Sequence, residues 1–374
     1  MSVPAAQPKP PTQHLDMLDI VRGLAAMLTY IAHYFMMYPG GSPPEISGLS
    51  SVVWRHFPKG VPLFFALSGL SLFLGYFPRR HEPAMLREFF VRRFFRIAPL
   101  FYLALGISIA ILWHRGGAVT GGELLANVTL TFGLFPGIHK SLVDAGWSVG
   151  VEVLFYLVFP LLLTWVVNQG RSVVLWMVAS VVAVVAYVYL RRLLPGLYYA
   201  EMSALIYAHF FATGIVVYFF YEAWKHRGRP NERIIAWAGP GVAIATILVL
   251  ILGGPVRIPF VTAVGAKIIL WALPMGFLLL AACTVSTPWR WLRPLVWLGK
   301  CSYSVYLLHP LILIFACGFI HPVAPPTSTD LGRFSGVFAL TTALLLVVSG
   351  LSYRYFERPF MQLARRLTAR DQAQ

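Results

Sequence analysis

Long apolar runs, separated by short basic or Pro- and Gly-containing stretches, recur from one end of this chain to the other. A helix needs about 20 mainly apolar residues to cross the roughly 30 Å hydrocarbon core of a bilayer. On that measure the runs near 17–38, 59–77, 94–113, 122–136, 145–167, 172–190, 199–222, 233–252, 259–282, 296–319 and 334–355 are candidate spans. Each predicts a helix, because an open sheet would leave its backbone groups unpaired in lipid. The expected fold is all-α, a polytopic transmembrane helix bundle forming one domain over 15–362. Residues 1–14 are Pro-rich and lack the charged start and apolar core of a signal peptide, so they predict a disordered tail. Residues 363–374 predict a basic cytoplasmic tail.

The polar stretches between the runs set the orientation. Lys and Arg crowd into 78–96, into 223–233 (KHRGRPNER), into 284–294 and into the end of the chain, whereas 39–58, 253–258 and 320–332 are poor in them. By the positive-inside rule the basic stretches and both termini are cytoplasmic. Both ends inside requires an even number of crossings, yet the candidates number eleven. The misfit is 122–136 (GELLANVTLTFGLFP), the shortest, with Asn127 inside it. It is expected to be embedded without crossing, which leaves about ten crossings.

Composition sharpens this picture in one respect. The chain is 58% hydrophobic and 12% charged, against about 25% charged for a soluble domain, so lipid is its solvent. The net charge of +16 does not indicate nucleic acid, since the positive residues sit in loop clusters between apolar runs. The same clusters suit an anionic ligand arriving from the cytoplasm. Cys283, Cys301 and Cys317 show no metal-ligand spacing and read as packed thiols.

Ionisable residues inside a span cost roughly 2.5–3.5 kcal/mol each on the insertion scale, so each asks for a reason. Arg22 and His33 lie eleven residues apart in the first run. That is three turns plus about 20°, so they share one helix face about 16 Å apart, with Asp19 one turn below Arg22. Such a histidine is either a packed residue or a working imidazole above an anion-binding group. Glu152, in GWSVGVEVLFYLVFP, must pair, bind a polar ligand group or be protonated; Ser148 is its i−4 neighbour, and Lys267 is the candidate buried cation for an ion pair. Arg92, Arg93 and Arg96 in FVRRFFRIAP are either a topology anchor at the headgroups or a phosphate clamp. His309, in CSYSVYLLHPLIL, shares a face with Ser302 and Tyr306 and reads first as a helix–helix hydrogen bond. Ser68 in FFALSGL has no base supplied by a nearby motif, and small residues there fit close helix packing.

The segments DIVRG with its Arg22 and His33, FFALSGL, FVRRFFRIAP, WSVGVE, YSVYLLHP and FERPF, in this order and over nearly the whole chain, resemble the acyltransferase family 3 of membrane proteins. Two departures from the family's usual pattern are Leu70 after the Ser-Gly pair and Val153 after Glu152. The resemblance implies an O-acyltransferase of the bacterial inner membrane that takes an acyl group, most often acetyl, from acetyl-CoA or another acyl-CoA to a hydroxyl of a glycan or glycosylated acceptor, without a metal. It implies His33 and Glu152 as catalytic and Arg22, Arg92, Arg93 and Arg96 as holders of the donor's phosphates. Asp19, Trp147, Ser148, Lys267, Ser302, Tyr303 and His309 then bind substrate or support the site. A proton-coupled transporter or flippase, with the same ionisable residues as a relay, is the alternative; it predicts internal repeats and paired broken helices, and no sequence repeat is visible. A sensor or scaffold without turnover is a third reading, and it predicts indifference to changes at His33 and Arg22.

Overall fold

The computed structural model describes residues 15–39, 41–252, 269–285, 290–320 and 330–369, and among them it contains helices and turns but no strand. The helices are α1 (Asp16–Met37), α2 (Ser47–His56), α3 (Gly60–Tyr76), α4 (Met85–His114), α5 (Gly121–Val128), α6 (Trp147–Trp165), α7 (Gln169–Leu193) and α8 (Tyr199–Met202). They continue with α9 (Ala204–His226), α10 (Glu232–Leu252), α11 (Ala272–Thr284), α12 (Arg293–Lys300), α13 (Ser302–Ile320), α14 (Leu331–Ser352), a π-helical turn (Tyr353–Glu357) and α15 (Arg358–Ala369). Eight helical stretches among the described residues are long and apolar enough to cross a membrane, and the α12–α13 pair, bent by 64°, makes a ninth if it counts as one span. The run expected at 259–282 is described only in its later part, over α11; Lys267 lies outside the described residues.

Two stretches differ from the expected boundaries, and a third is as short as expected of a segment that does not cross. The region 122–136 holds only the eight-residue α5 followed by turns, and eight helical residues rise about 12 Å, too little to cross. The arginine-bearing stretch expected as a loop up to 96 is helical from Met85, because Pro83 stops the chain before it and no breaker intervenes until Pro99 inside the helix. The tail expected from 363 continues as α15 to Ala369 and packs along α4.

The bundle centres on α3 and α9, the most buried of the long helices. They meet backbone to backbone. A Cβ on Gly69 would lie 2.1 Å from the Phe211 carbonyl oxygen, and one on Gly214 would lie 2.0 Å from that of Ala66. Small residues at such a crossing give the close van der Waals packing that holds helices together where lipid offers no hydrophobic gain. Helix α1 contacts α3, α12 and α13. Its C-terminal half is fixed to α14 by Tyr30, whose hydroxyl bonds Thr341 Oγ1 at 2.8 Å, and by Tyr34, which donates to the Phe334 carbonyl at 2.6 Å.

The segment between α4 and α6 is folded by local polar contacts. Thr120 and Glu123 form a reciprocal capping box at the start of α5. Asn127 accepts from Ser141 Oγ at 2.6 Å and from the Leu142 N–H at 3.1 Å, and donates to the Glu123 carbonyl at 2.9 Å. Leu130, Ser141 and Ala145 take left-handed backbone angles (φ 59°, 70° and 61°), a conformation that persists in L-residues only where the surroundings enforce it.

Candidate active site

Helices α1, α3, α4, α6, α12, α13 and α15, with the π turn, border a cavity of about 500 Å³. Five basic side chains line it, Arg22, Arg93, Arg96, Lys300 and Arg365, against two carboxylates, Asp19 and Glu152. Each arginine is held differently. Arg22 donates to Asp19 Oδ1, one turn back on α1, and to Ser71 Oγ on α3, both at 2.5 Å. Arg96 pairs with the buried Glu357 at 3.0 Å and stands 5.7 Å from the Tyr303 ring centre, while the Tyr303 hydroxyl donates to the Ile97 carbonyl at 2.8 Å. Arg93 lies between the rings of Tyr76 and Tyr156, at 5.8 and 5.7 Å, a cation–π setting in which the Glu152 carboxylate acts on its charge from beyond ion-pair distance.

Arg92 departs from this group. It pairs with Glu88 at 3.0 Å, one turn back on α4, and Arg79 holds the other Glu88 oxygen at 2.7 Å. Arg92 is not among the residues lining the cavity. Arg92 thus belongs to an ion-pair cluster, and of the three arginines in FVRRFFRIAP only Arg93 and Arg96 line the cavity.

Above the basic end the cavity wall becomes mixed. Glu152 Oε1 accepts from Ser68 Oγ at 3.1 Å and from the Tyr156 hydroxyl at 2.5 Å. Ser148 does not join Glu152; it donates to the Tyr306 hydroxyl at 2.7 Å, which in turn donates to the Ala145 carbonyl at 3.0 Å. Ser302, Tyr303 and Tyr306 all line the cavity. Trp147, at the start of α6, stacks its ring 5.4 Å from Tyr207 and stays outside the lining.

His33 is half-buried and does not line the cavity. It stands two ring contacts beyond it: Tyr306 meets His309 at 5.8 Å between ring centres, and His309 meets His33 at 4.8 Å. His309 is fully buried, with its Nδ1 3.3 Å from the Val305 carbonyl. His33 Nδ1 lies 2.9 Å from the Thr29 carbonyl. A carbonyl oxygen only accepts, so that nitrogen carries the proton, and in the neutral imidazole Nε2 keeps its lone pair.

Several lining residues escaped the sequence reading. Tyr156 had a usable signal, since it stands one turn from Glu152, and Ser71 stands one turn from Ser68 in an otherwise apolar helix. Ser68 acquires its carboxylate neighbour from a residue 84 positions away. Lys300 and Arg365 carried no mark beyond their charge; they reach the cavity because α12 docks on α1 and α15 folds back along α4.

Residues 15–353 match the acyltransferase domain of the acyltransferase 3 family. The chain belongs to this family. The match takes in α1 through the first residue of the π turn, and so nearly all of the cavity wall. This acyltransferase is also similar to the peptidoglycan O-acetyltransferase OatA of Listeria monocytogenes serovar 1/2a (strain ATCC BAA-679 / EGD-e), at 25% identity over 347 residues, 80% of this chain and 50% of the relative. The chain therefore spans about half the length of that curated relative. No solved structure matches. The polytopic helical bundle and the family membership together make this a multi-pass membrane protein of the acyltransferase class.

Proposed function

We propose that this protein moves an acyl group, acetyl in the simplest case, from an acyl-CoA on the cytoplasmic side of the bacterial inner membrane to a hydroxyl of a glycan or glycosylated acceptor. The observation that carries the reading is the charge of the cavity, five basic side chains against two carboxylates, with Tyr306 of its wall in ring contact with His309 and His309 with His33. Guanidinium groups match phosphate oxygens in bidentate geometry. Arg22 and Arg96 already have carboxylate partners, so Arg93, Lys300 and Arg365 are the groups with most charge to offer a phosphate. The relative's name supports O-acetyl transfer to a cell-wall sugar as one acceptor chemistry.

In this scheme the pantetheine arm lies along the wall formed by Ser68, Glu152 and Tyr303, and the thioester meets His33 when the Tyr306–His309 ring contact that closes this end of the chamber opens. The acceptor hydroxyl attacks the thioester carbonyl; the new C–O bond forms as the C–S bond breaks. His33 Nε2 takes the hydroxyl proton and returns it to the departing thiolate, so that CoA leaves as the free thiol. The Thr29 carbonyl keeps the imidazole in the tautomer this step needs. Glu152, with its two hydroxyl donors, orients the reacting groups.

The test is transfer of labelled acetyl from acetyl-CoA to glycan in proteoliposomes containing purified protein. His33→Ala and Arg22→Ala are expected to lose transfer while still inserting in the membrane. Arg93→Gln with Arg365→Gln is expected to raise KM for acetyl-CoA far more than it lowers kcat. Full transfer by purified His33→Ala protein refutes the scheme.

A further inference from the structure

A second depression lies outside the cavity. It is a groove of about 570 Å³ between Trp297 of α12 and the last turns of α14. Its walls are apolar, formed by Leu346, Val347 and Leu351, and its floor is Gly350 against the Trp297 ring, where a Cβ would come within 2.8 Å. Trp297, Val347 and Leu351 are exposed. Arg354 and Arg358 also line it. They follow α14 across the π turn, four residues apart, and both are exposed.

The charge balance at this end is unusual. Glu357, the acid between them in sequence, turns inward to Arg96 and Ser304. Neither Arg354 nor Arg358 pairs with a carboxylate among the described residues. Like charges one helical turn apart repel, and an anion between them reverses the sign of that interaction. A hydrocarbon-lined groove ending at two guanidinium groups has the polarity of an amphiphile with a phosphate head.

We propose that this groove binds an anionic phospholipid, with one acyl chain along Trp297 and α14 and the phosphate held between Arg354 and Arg358. The site touches the internal cavity, because Tyr353 lines both. Lipid in the groove therefore packs against one face of a side chain whose other face borders the basic chamber.

The experiment is native mass spectrometry of the full-length, delipidated protein titrated with phosphatidylglycerol or phosphatidylcholine of the same chains. Each arginine near a membrane surface adds about 1 kcal/mol for an anionic lipid, so two give a preference of about 10- to 30-fold for the first phosphatidylglycerol bound. Arg354→Gln with Arg358→Gln is expected to abolish that preference. Arg171→Gln with Arg192→Gln, on α7, is expected to keep it. Val347→Trp fills the groove while leaving both arginines, and is expected to remove the tightly held lipid in a protein whose size-exclusion profile is unchanged. Equal retention of the two lipids by the parent protein overturns the proposal, as does a preference that survives either the double arginine variant or Val347→Trp.

Discussion

Replacing Gly299 with alanine tests whether the position of α1 governs the basic chamber. The added Cβ would fall 1.9 Å from the Asp19 carbonyl oxygen, 2.3 Å from its carbon and 2.7 Å from its Cα, whereas real Cβ contacts stay beyond 3.0 Å. All three atoms are backbone, so no rotamer change relieves the clash; α1 and α12 must separate by about 1.1 Å at that point. Arg22 lies one turn along from Asp19, and a shift of that size on α1 disturbs its 2.5 Å bond to Ser71 on α3, already at the short limit, in whichever direction α1 moves. Overpacking of this kind costs about 1–3 kcal/mol of stability, and a displacement near 1 Å in a positioned site costs on the order of 10²-fold in rate. The assay is acetyl transfer with kcat and KM for acetyl-CoA, alongside the thermal midpoint in detergent. Gly106→Ala, where nothing lies within 4 Å of the new Cβ, serves as the control and should be neutral or stabilising by up to about 1 kcal/mol. A Gly299→Ala protein as stable and as active as the parent would refute the argument.

The remaining predictions concern single contacts. Ser68→Ala removes one of two donors to Glu152; a hydrogen bond to a charged group is worth about 1.5–3 kcal/mol, so kcat/KM should fall roughly 10- to 100-fold, and an unchanged value removes Ser68 from the site. Tyr306→Phe breaks the link from Ser148 to Ala145 and should lower kcat more than it raises KM for acetyl-CoA, because the basic end is untouched; the reverse split counts against the assigned direction of the chamber. Arg79→Ala leaves the buried Glu88 with Arg92 as its remaining arginine partner at the α3–α4 turn and should cost about 1.5–3 kcal/mol, read as a lower thermal midpoint. Thr120→Ala should cost about 1 kcal/mol as a lost cap, with a defined pH dependence. The Thr120 amide and hydroxyl hold the Glu123 carboxyl below its ordinary value of 4.5. Its stabilisation is therefore complete above that pH and is lost as the pH falls through the lower folded value. The gap in thermal midpoint between parent and variant should shrink on acidification, and a gap that widens reverses the sign and sinks the account.

The bundle was legible because lipid admits little besides helices, and a run of the right length announces one. The failures are local. The 296–319 run reads as one uniform helix, yet it breaks at Cys301 because Gly299 has to seat α12 against the backbone of α1. The alignment of Asp19 and Arg22 followed from helix geometry and reappears as a 2.5 Å bond. The same geometry put His33 on that stripe without saying what stood between it and the arginines; Tyr306 and His309 come from α13, and periodicity within one helix says nothing about another. Arg92 stands apart from Arg93 and Arg96 for a similar reason. Arg93 points 100° round the helix from Arg92, whereas Arg96 shares the Arg92 face one turn further along; what separates those two is the partner each meets, Glu88 for the first and Glu357 for the second.

The fold of residues 121–146 has a consequence for how such proteins diversify. Asn127 ties this excursion together from within, and one of its carbonyls, that of Ala145, receives the Tyr306 hydroxyl at the far end of the chamber. None of the five basic groups belongs to it. Tyr102 on the Val128 carbonyl, Phe101 on Phe132 and Tyr199 on the Gly133 carbonyl anchor it to the bundle, so on the proposed function it is exchangeable only together with those three contacts. Evolution, or an engineer grafting the segment from a relative, could in this way retarget the molecule while leaving its supply of activated acyl groups intact.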